Sequence, residues 1–244
     1  MATDGPSPLA QFEIKTLIPL EIGGTDISFT NSALFMVIAI VLVIMFLLLG
    51  TRGRALVPGR WQCVAEISYE FVANLLRDTV GNEGRKFFPL IFTLFMFILF
   101  GNFLGMLPYG FTYTSHIIVT FAMALVVFIG VTTIGFMKHG IRFLGFLMPA
   151  GIPVFMAPLI IPIEILSYFT RPVSLALRLF ANMTAGHTML KVFASFVFGL
   201  GVFGIVPLAL VTALTGLEFI IAFLQAYVFT ILTCVYLNDA LHMH

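Results

Sequence analysis

Charged side chains are scarce in this sequence: Asp, Glu, Lys and Arg together make up 9% of its 244 residues, against roughly 25% in an average soluble domain. Apolar residues make up 60%. So few charges cannot cover the surface of a soluble globule, and so many apolar residues exclude a disordered chain. The composition therefore predicts a polytopic membrane protein.

Cysteine is also scarce, the net charge is close to zero, and the N-terminal residues show no targeting pattern. The two cysteines, Cys63 and Cys234, lie far apart, so we expect neither a disulfide framework nor a metal site. The net charge of +1 gives no basic excess of the kind that indicates nucleic-acid binding. No basic segment precedes an apolar run near the N-terminus, so we expect no signal peptide, and no motif indicates a cofactor.

Three apolar runs, at about 32–50, 89–107 and 117–137, are long enough to cross a bilayer, which takes about 20 helical residues. Helices are favoured over a barrel because the runs are continuous rather than alternating. Between the first two runs, residues 60–80 place apolar side chains at spacings of three and four. This pattern predicts an amphipathic helix at the membrane interface, with Trp61 at headgroup level.

The stretch 143–237 contains only five charged residues. Its apolar length fits four ordinary spans or two very long, strongly tilted helices, and hydropathy does not decide between them. Prolines predict kinks or breaks within it. They are Pro149, Pro153, Pro158, Pro162, Pro172 and Pro207.

Lys and Arg alternate between successive loops. There is one in residues 1–31, six in 50–88, none in 108–116 and two in 138–142. Because cytoplasmic loops carry the excess of Lys and Arg, the N-terminal 30 residues are expected outside the cytoplasm. Either helix count for the last stretch then returns the C-terminus to the cytoplasm.

Arg178 is the most informative of the charges in apolar surroundings. A charged side chain in the middle of a membrane costs at least about 2.5–3.5 kcal/mol, which makes it a functional candidate. Ser174 and Asn182 lie on the same side of a helix, and Arg171 and Glu164 continue that side. A guanidinium cannot lose its proton, so Arg178 needs a carboxylate or a wet cavity. The alternatives are an ion pair with Glu164 or a side chain that extends to the interface.

His187 and Glu218 are the other candidates. His187 lies nine residues after Arg178, half a turn from the Arg178 side of a helix. Glu218 is the only charge for 20 residues in either direction, and Gln225 follows it two turns later. Pairing of His187 with Glu218 would offset the cost of burying both, and Glu and His chains in membranes are typical of proton relays. Alternatively, the His is a packing residue and the Glu a hydrogen-bonded link between helices.

Three segments resemble subunit a of F-type ATP synthases. The most specific is 174–187, with the sequence SLALRLFANMTAGH; the others are 224–233, LQAYVFTILT, and 89–108. The resemblance implies five membrane-embedded helices, the last two being long and tilted within about 150–238, plus the interfacial helix, in a single membrane domain 31–244. It also implies a bacterial inner-membrane protein with no catalytic site of its own.

The resemblance further implies a role in proton conduction through two offset half-channels. Arg178 would be the essential stator arginine, facing the carboxylate of a rotating c-ring, and peripheral stalk b subunits would be further partners. The half-channel from the proton-rich side would be lined by Asn182, His187, Glu218 and Gln225, with Glu164 and Ser174 as further polar positions. In some bacterial relatives the acid and the histidine at the His187 and Glu218 positions are exchanged.

Two other classes of function remain open from the residues alone. In a proton-coupled secondary transporter, Arg178 would bind an anionic substrate, and inverted repeats would be expected. In a membrane protein with bis-histidine haem, two histidines would have to lie deep in the membrane, but only His187 does so among five.

Overall fold

Six α-helices make up most of the protein in its computed structural model. The structure describes residues 12–19, 21–22, 25–26, 28–52, 59–107, 110–140, 143, 156–199 and 201–242. The helices are α1 (Asn31–Thr51), α2 (Arg60–Val80), α3 (Phe88–Gly105), α4 (Ile117–His139), α5 (Ala157–Gly199) and α6 (Ile205–Leu241). All except α2 are long and apolar enough to cross a membrane. The predicted all-α polytopic membrane fold is therefore confirmed.

Four short strands precede α1. The strand β1 (Thr16–Ile18) pairs antiparallel with β4 (Phe29–Thr30), and β2 (Glu21–Ile22) pairs with β3 (Thr25–Asp26). The Thr30 hydroxyl accepts a hydrogen bond from the backbone N–H three residues later and so caps α1. Strands of two or three residues are too short to show an alternating pattern, so the sequence does not predict them.

The helix α2 occupies the range in which the sequence predicts an amphipathic helix. Val72 and Leu76 are buried in the core, whereas Trp61, in the first turn of the helix, is 65% exposed. The helix ends at Gly81, whose backbone N–H donates to the carbonyl of Arg77. Gly81 has a φ of 78°, a conformation that costs glycine little, so the chain can turn sharply from α2 towards α3.

The last two helices are much longer than a single span. The helix α5 has 43 residues and α6 has 37. At 1.5 Å per residue these helices are about 65 Å and about 55 Å long, roughly twice the hydrocarbon thickness of about 30 Å. The structure therefore has two long helices rather than four short ones, and they remain within a bilayer only when strongly tilted.

The prolines of this region do not break the helices. The helix α5 continues through Pro162 and Pro172, and Pro207 lies in the first turn of α6. Of the predicted kinks or breaks, no break occurs at these positions, because packing of α5 against α4 and α6 outweighs the cost of about 3 kcal/mol for a proline inside a helix. A kink at Pro162 or Pro172 stays a prediction. Pro158, at the second position of α5, removes an N–H that has no partner inside the helix. Pro149 and Pro153 lie outside the described residues.

The centre of the fold is α3. Its Phe95, Met96 and Ile98 are at most 1% exposed, and the core cluster around them includes side chains of α2, α4, α5 and α6. Large apolar side chains also cover the outside, such as Val126 on α4 and Leu166 on α5. An apolar exterior over an apolar core is expected for a protein whose solvent is lipid.

Candidate functional site

His187 and Glu218 lie together between α5 and α6. Their exposed fractions are 9% and 8%, and Nδ1 of His187 is 3.5 Å from Oε2 of Glu218. Gly186 provides the space for the carboxylate, since a Cβ at this position would overlap Oε1 of Glu218. The structure thus brings together the two residues for which the sequence predicts pairing.

The other ring nitrogen of His187 contacts the α3 end and the loop that follows it. Nε2 is 3.0 Å from the hydroxyl of Thr112 and 3.0 Å from the carbonyl of Gly105. A Cβ at Gly105 would overlap the Thr112 side chain, so this glycine permits the close approach. Thr112 does not emerge from the sequence, because its loop carries no charge and no motif.

The Thr112 loop is held to three helices. The hydroxyl of Thr114 donates to Oδ1 of Asn102 on α3 at 2.8 Å, and Nδ2 of Asn102 donates to the carbonyl of Ala222 on α6 at 3.1 Å. The hydroxyl of Thr184 on α5 donates to the carbonyl of Ser115 at 3.2 Å. Because these groups are buried and bonded, the loop holds Thr112 at a defined position beside His187.

A second histidine of this loop, His116, stacks on Phe111 with ring centroids 5.1 Å apart. Burial lowers the pKa of the His116 imidazole. The lowered pKa favours the neutral form of this ring.

A cavity of about 830 Å³ reaches the His187–Glu218 pair. Its titratable lining residues come from the N-terminal segment, α5 and α6: Glu13, Lys15, His187, Lys191 and Glu218. Asn31, at the start of α1, holds the N-terminal residues at the cavity: its N–H donates to the carbonyl of Lys15 at 3.0 Å, and its Nδ2 to that of Glu13 at 3.1 Å. The cavity thus has a charged wall above a buried acid and base.

Three polar atoms of the pair lack a hydrogen-bond partner within the described residues: Nδ1 of His187 and both carboxylate oxygens of Glu218. Buried polar atoms are nearly always bonded, and exceptions next to a cavity are typical of groups that bind water or exchange protons. Across the described ranges, no group of three or more His, Cys, Asp or Glu side chains lies close enough to hold a metal ion. The arrangement favours proton exchange.

Arg178 lies on the exposed side of α5 together with Ser174 and Asn182. It forms no ion pair or hydrogen bond with any part of the chain that the structure describes. The alternative pair with Glu164 does not form, because 14 residues separate the two by about 21 Å along a helix. Glu164 is half-buried and likewise forms no ion pair within the described ranges. The guanidinium of Arg178 is thus free to meet a partner outside this chain.

The side chain of Arg171 does not share the exposed face of Arg178. Its guanidinium is 3.1 Å from the carboxylate of Asp239 on α6 and lies over the rings of Tyr168, at 5.5 Å, and Tyr236, at 5.2 Å. The spacing of seven residues still places the Cα of Arg171 on the Arg178 side of α5, and its long side chain turns from there towards α6. This residue belongs to the contact between α5 and α6.

Gln225 is 9% exposed and lies two turns after Glu218 on α6. The helices α5 and α6 form an antiparallel pair in which His187 meets Glu218 and Arg171 meets Asp239. Gln225 and Arg178 therefore both lie between the levels of these two contacts.

Fold and site together define a class: a polytopic helical membrane protein with a buried acid–base pair and, on a long apolar helix, an arginine that forms no ion pair with the part of the chain that the structure describes. A family model described as ATP synthase A chain matches residues 33–238. Proteins named ATP synthase subunit a are similar over nearly their whole length. That of Paramagnetospirillum magneticum is 62% identical, with 98% of this chain and 99% of the relative covered. Those of Rhodospirillum rubrum, at 58% identity, and Mesorhizobium japonicum, at 57%, cover 98% and 99% of this chain, and 99% of each relative. The chain belongs to the ATP synthase A chain family.

Proposed function

We propose that this chain is the proton-translocating subunit a of an F-type ATP synthase in a bacterial inner membrane. Family membership and five helices of spanning length support the assignment over a secondary transporter. The partners would be a rotating c-ring and the b subunits of a peripheral stalk. The excess of Lys and Arg in residues 50–88 supports an N-terminus outside the cytoplasm.

Protons would enter from outside through the cavity beside the N-terminal segment. They would exchange at the His187–Glu218 pair and continue past Gln225 and Asn182 to a carboxylate of the c-ring. A protonated, neutral carboxylate can turn into lipid, whereas an ionised one cannot do so without a large cost. After nearly a full rotation it would release the proton into a second half-channel on the cytoplasmic side.

Arg178 would separate the two half-channels, and its position on an apolar helix, without an ion pair among the described residues, is the observation that carries the proposal. A fixed positive charge at this level stabilises the ionised c-ring carboxylate and repels a proton that crosses directly. Such a leak would dissipate about 2.3 kcal/mol per proton per 100 mV. Arginine suits the role because, unlike a buried lysine, it does not lose its proton.

The test is Arg178→Ala in the complete enzyme, assayed in inverted membrane vesicles. ATP-driven proton pumping, followed with a pH-sensitive dye, is expected to fall to background. Arg85→Ala is the matched control, since Arg85 is also exposed but lies before α3, far from α5 in the sequence. Immunoblots should show equal amounts of subunit a in both membranes. Wild-type pumping by Arg178→Ala would overturn the assignment.

A further inference from the structure

The two ring nitrogens of His187 face different chemistry. Nε2 lies against Gly105 and Thr112, whereas Nδ1 faces Glu218. We propose that the Gly105 carbonyl and the Thr112 hydroxyl hold His187 with its proton on Nε2, so that Nδ1 alone exchanges protons with Glu218. Thr112 is thereby a positioning residue for proton transfer. This inference rests on the proposed function.

The Gly105 carbonyl decides which nitrogen carries the proton. A carbonyl oxygen only accepts, so at 3.0 Å from Nε2 it requires a hydrogen on that nitrogen. The Thr112 hydroxyl, also at 3.0 Å, then accepts from the same N–H. The opposite form would place two lone pairs against each other in a buried site. In the neutral ring the lone pair therefore lies on Nδ1.

Proton transfer is then confined to one side of the ring. When Glu218 is protonated, its O–H bond breaks as an Nδ1–H bond forms, which leaves a carboxylate beside an imidazolium. The reverse step restores the acid and the neutral ring, so the charge balances in both directions. The Nε2 proton takes no part, because the Gly105 carbonyl and the Thr112 hydroxyl oxygen accept its hydrogen bond but are both too weakly basic to remove it. His187 is thus not a passage from one nitrogen to the other but a partner that stores a proton for Glu218.

The surroundings of Thr112 are built to keep this geometry. Thr112 is 3% exposed, and the missing side chain of Gly105 allows it to approach α3. The next loop residues are bonded to α3 and α5 through Asn102 and Thr184. A hydroxyl held so firmly at Nε2 stabilises the imidazolium more than the neutral ring, because hydrogen bonds to charged groups are the stronger ones.

Proton pumping by the complete enzyme tests the role of the hydroxyl. Thr112→Val removes it at nearly constant shape and is expected to slow pumping about three- to tenfold, as for the loss of one ordinary hydrogen bond. Thr112→Ser retains the hydroxyl and should restore most of the rate. Thr230→Val is the control, since Thr230 is equally buried but bonds the Ala226 carbonyl of its own helix. Wild-type pumping by Thr112→Val, or equal defects in the Val and Ser variants, would overturn the inference.

Nitrogen NMR of the [15N]histidine-labelled enzyme in lipid tests the proton position directly. The His187 signals are assigned by their loss in His187→Gln. The expected neutral species has a protonated Nε2 and an unprotonated Nδ1; a main species with the proton on Nδ1 would contradict the inference.

The experiments distinguish failure of the proposed function from failure of this inference. Pumping by Arg178→Ala removes the proposed function, whereas loss of pumping there with wild-type rates in Thr112→Val removes only the role of Thr112.

Discussion

The helices α5 and α6 meet through two pairs of basic and acidic side chains at different levels, and the two pairs differ in burial and in hydrogen bonding. At one level, Arg171 and Asp239 lie 3.1 Å apart with side chains 22% and 36% exposed, and two tyrosine rings flank the guanidinium. At the other level, His187 and Glu218 are buried, 3.5 Å apart, and leave three polar atoms without a hydrogen bond among the described residues.

These differences indicate two roles. The Arg171–Asp239 pair holds the two helices together, whereas the His187–Glu218 pair can gain and lose a proton. The guanidinium of Arg171 does not give up its proton, so its bond to Asp239 persists whatever proton passes nearby. His187 and Glu218 can share one proton in two arrangements, and in a buried site each arrangement produces a different field. A cavity of about 830 Å³ reaches only the second of these two pairs. The first pair is suited to support, the second to proton transfer.

The largest effect is expected for neutralisation of the buried acid. Glu218→Gln keeps the shape but cannot lose a proton, so pumping by the complete enzyme should fall about 100-fold, the lower range for loss of an acid–base group. Asp239→Asn, the matched change in the other pair, should keep pumping within about threefold because its charge holds a structural contact. Both variants should assemble to wild-type amounts by immunoblot. Equal losses of pumping would remove the distinction between the two pairs.

A smaller effect is expected where the carboxylate is displaced rather than removed. In Gly186→Ala the new methyl group would overlap Oε1 of Glu218, which lies at the end of a flexible side chain and can move aside. Pumping should fall about tenfold, since a displacement of about 1 Å in an active site commonly costs that much or more.

Gly216→Ala is the control for Gly186→Ala. A Cβ at Gly216 meets nothing within 4 Å, and this residue also lies inside a long helix near the same pair. Its pumping rate should equal that of the wild type. A defect as large as that of Gly186→Ala would attribute the loss to the helix backbone rather than to the carboxylate.

Much of the fold follows from the sequence, because lipid admits few alternatives. Scarce charge and continuous apolar runs leave a helical bundle as the solution, and the confirmed fold class rests on these two features. The number of helices after residue 143 does not follow from hydropathy. The length of an apolar run shows that the segment can lie in lipid, but it does not show where a helix ends. The continuation of α5 through Pro162 and Pro172 depends on packing against other helices.

Part of the candidate site could also be predicted from the sequence, and part of it could not. The proximity of His187 and Glu218 could be predicted because each is too costly to bury alone. The role of Thr112 could not be predicted, because an uncharged hydroxyl costs much less to bury than a charge does. Only the structure shows that this hydroxyl lies against Nε2 of His187. The ion pair of Arg171 with Asp239 could not be predicted either, because helical spacing locates a Cα, whereas a long side chain can reach a partner on the next helix.

The smallest effect is expected for the supporting pair, and a double-mutant cycle measures it. Arg171→Ala and Asp239→Ala should each lower the temperature at which heated detergent-solubilised enzyme releases subunit a, by a few degrees, since a half-exposed ion pair contributes about 0.2–1 kcal/mol. The double variant should release it at nearly the temperature of Arg171→Ala alone, because the shared contact is lost only once. Arg171→Lys retains the charge but not the planar stacking on Tyr168 and Tyr236, so it should recover only part of the loss. Additive effects of the two alanine changes would mean that each side chain acts through other neighbours, and the contrast with the buried pair would then rest on burial alone.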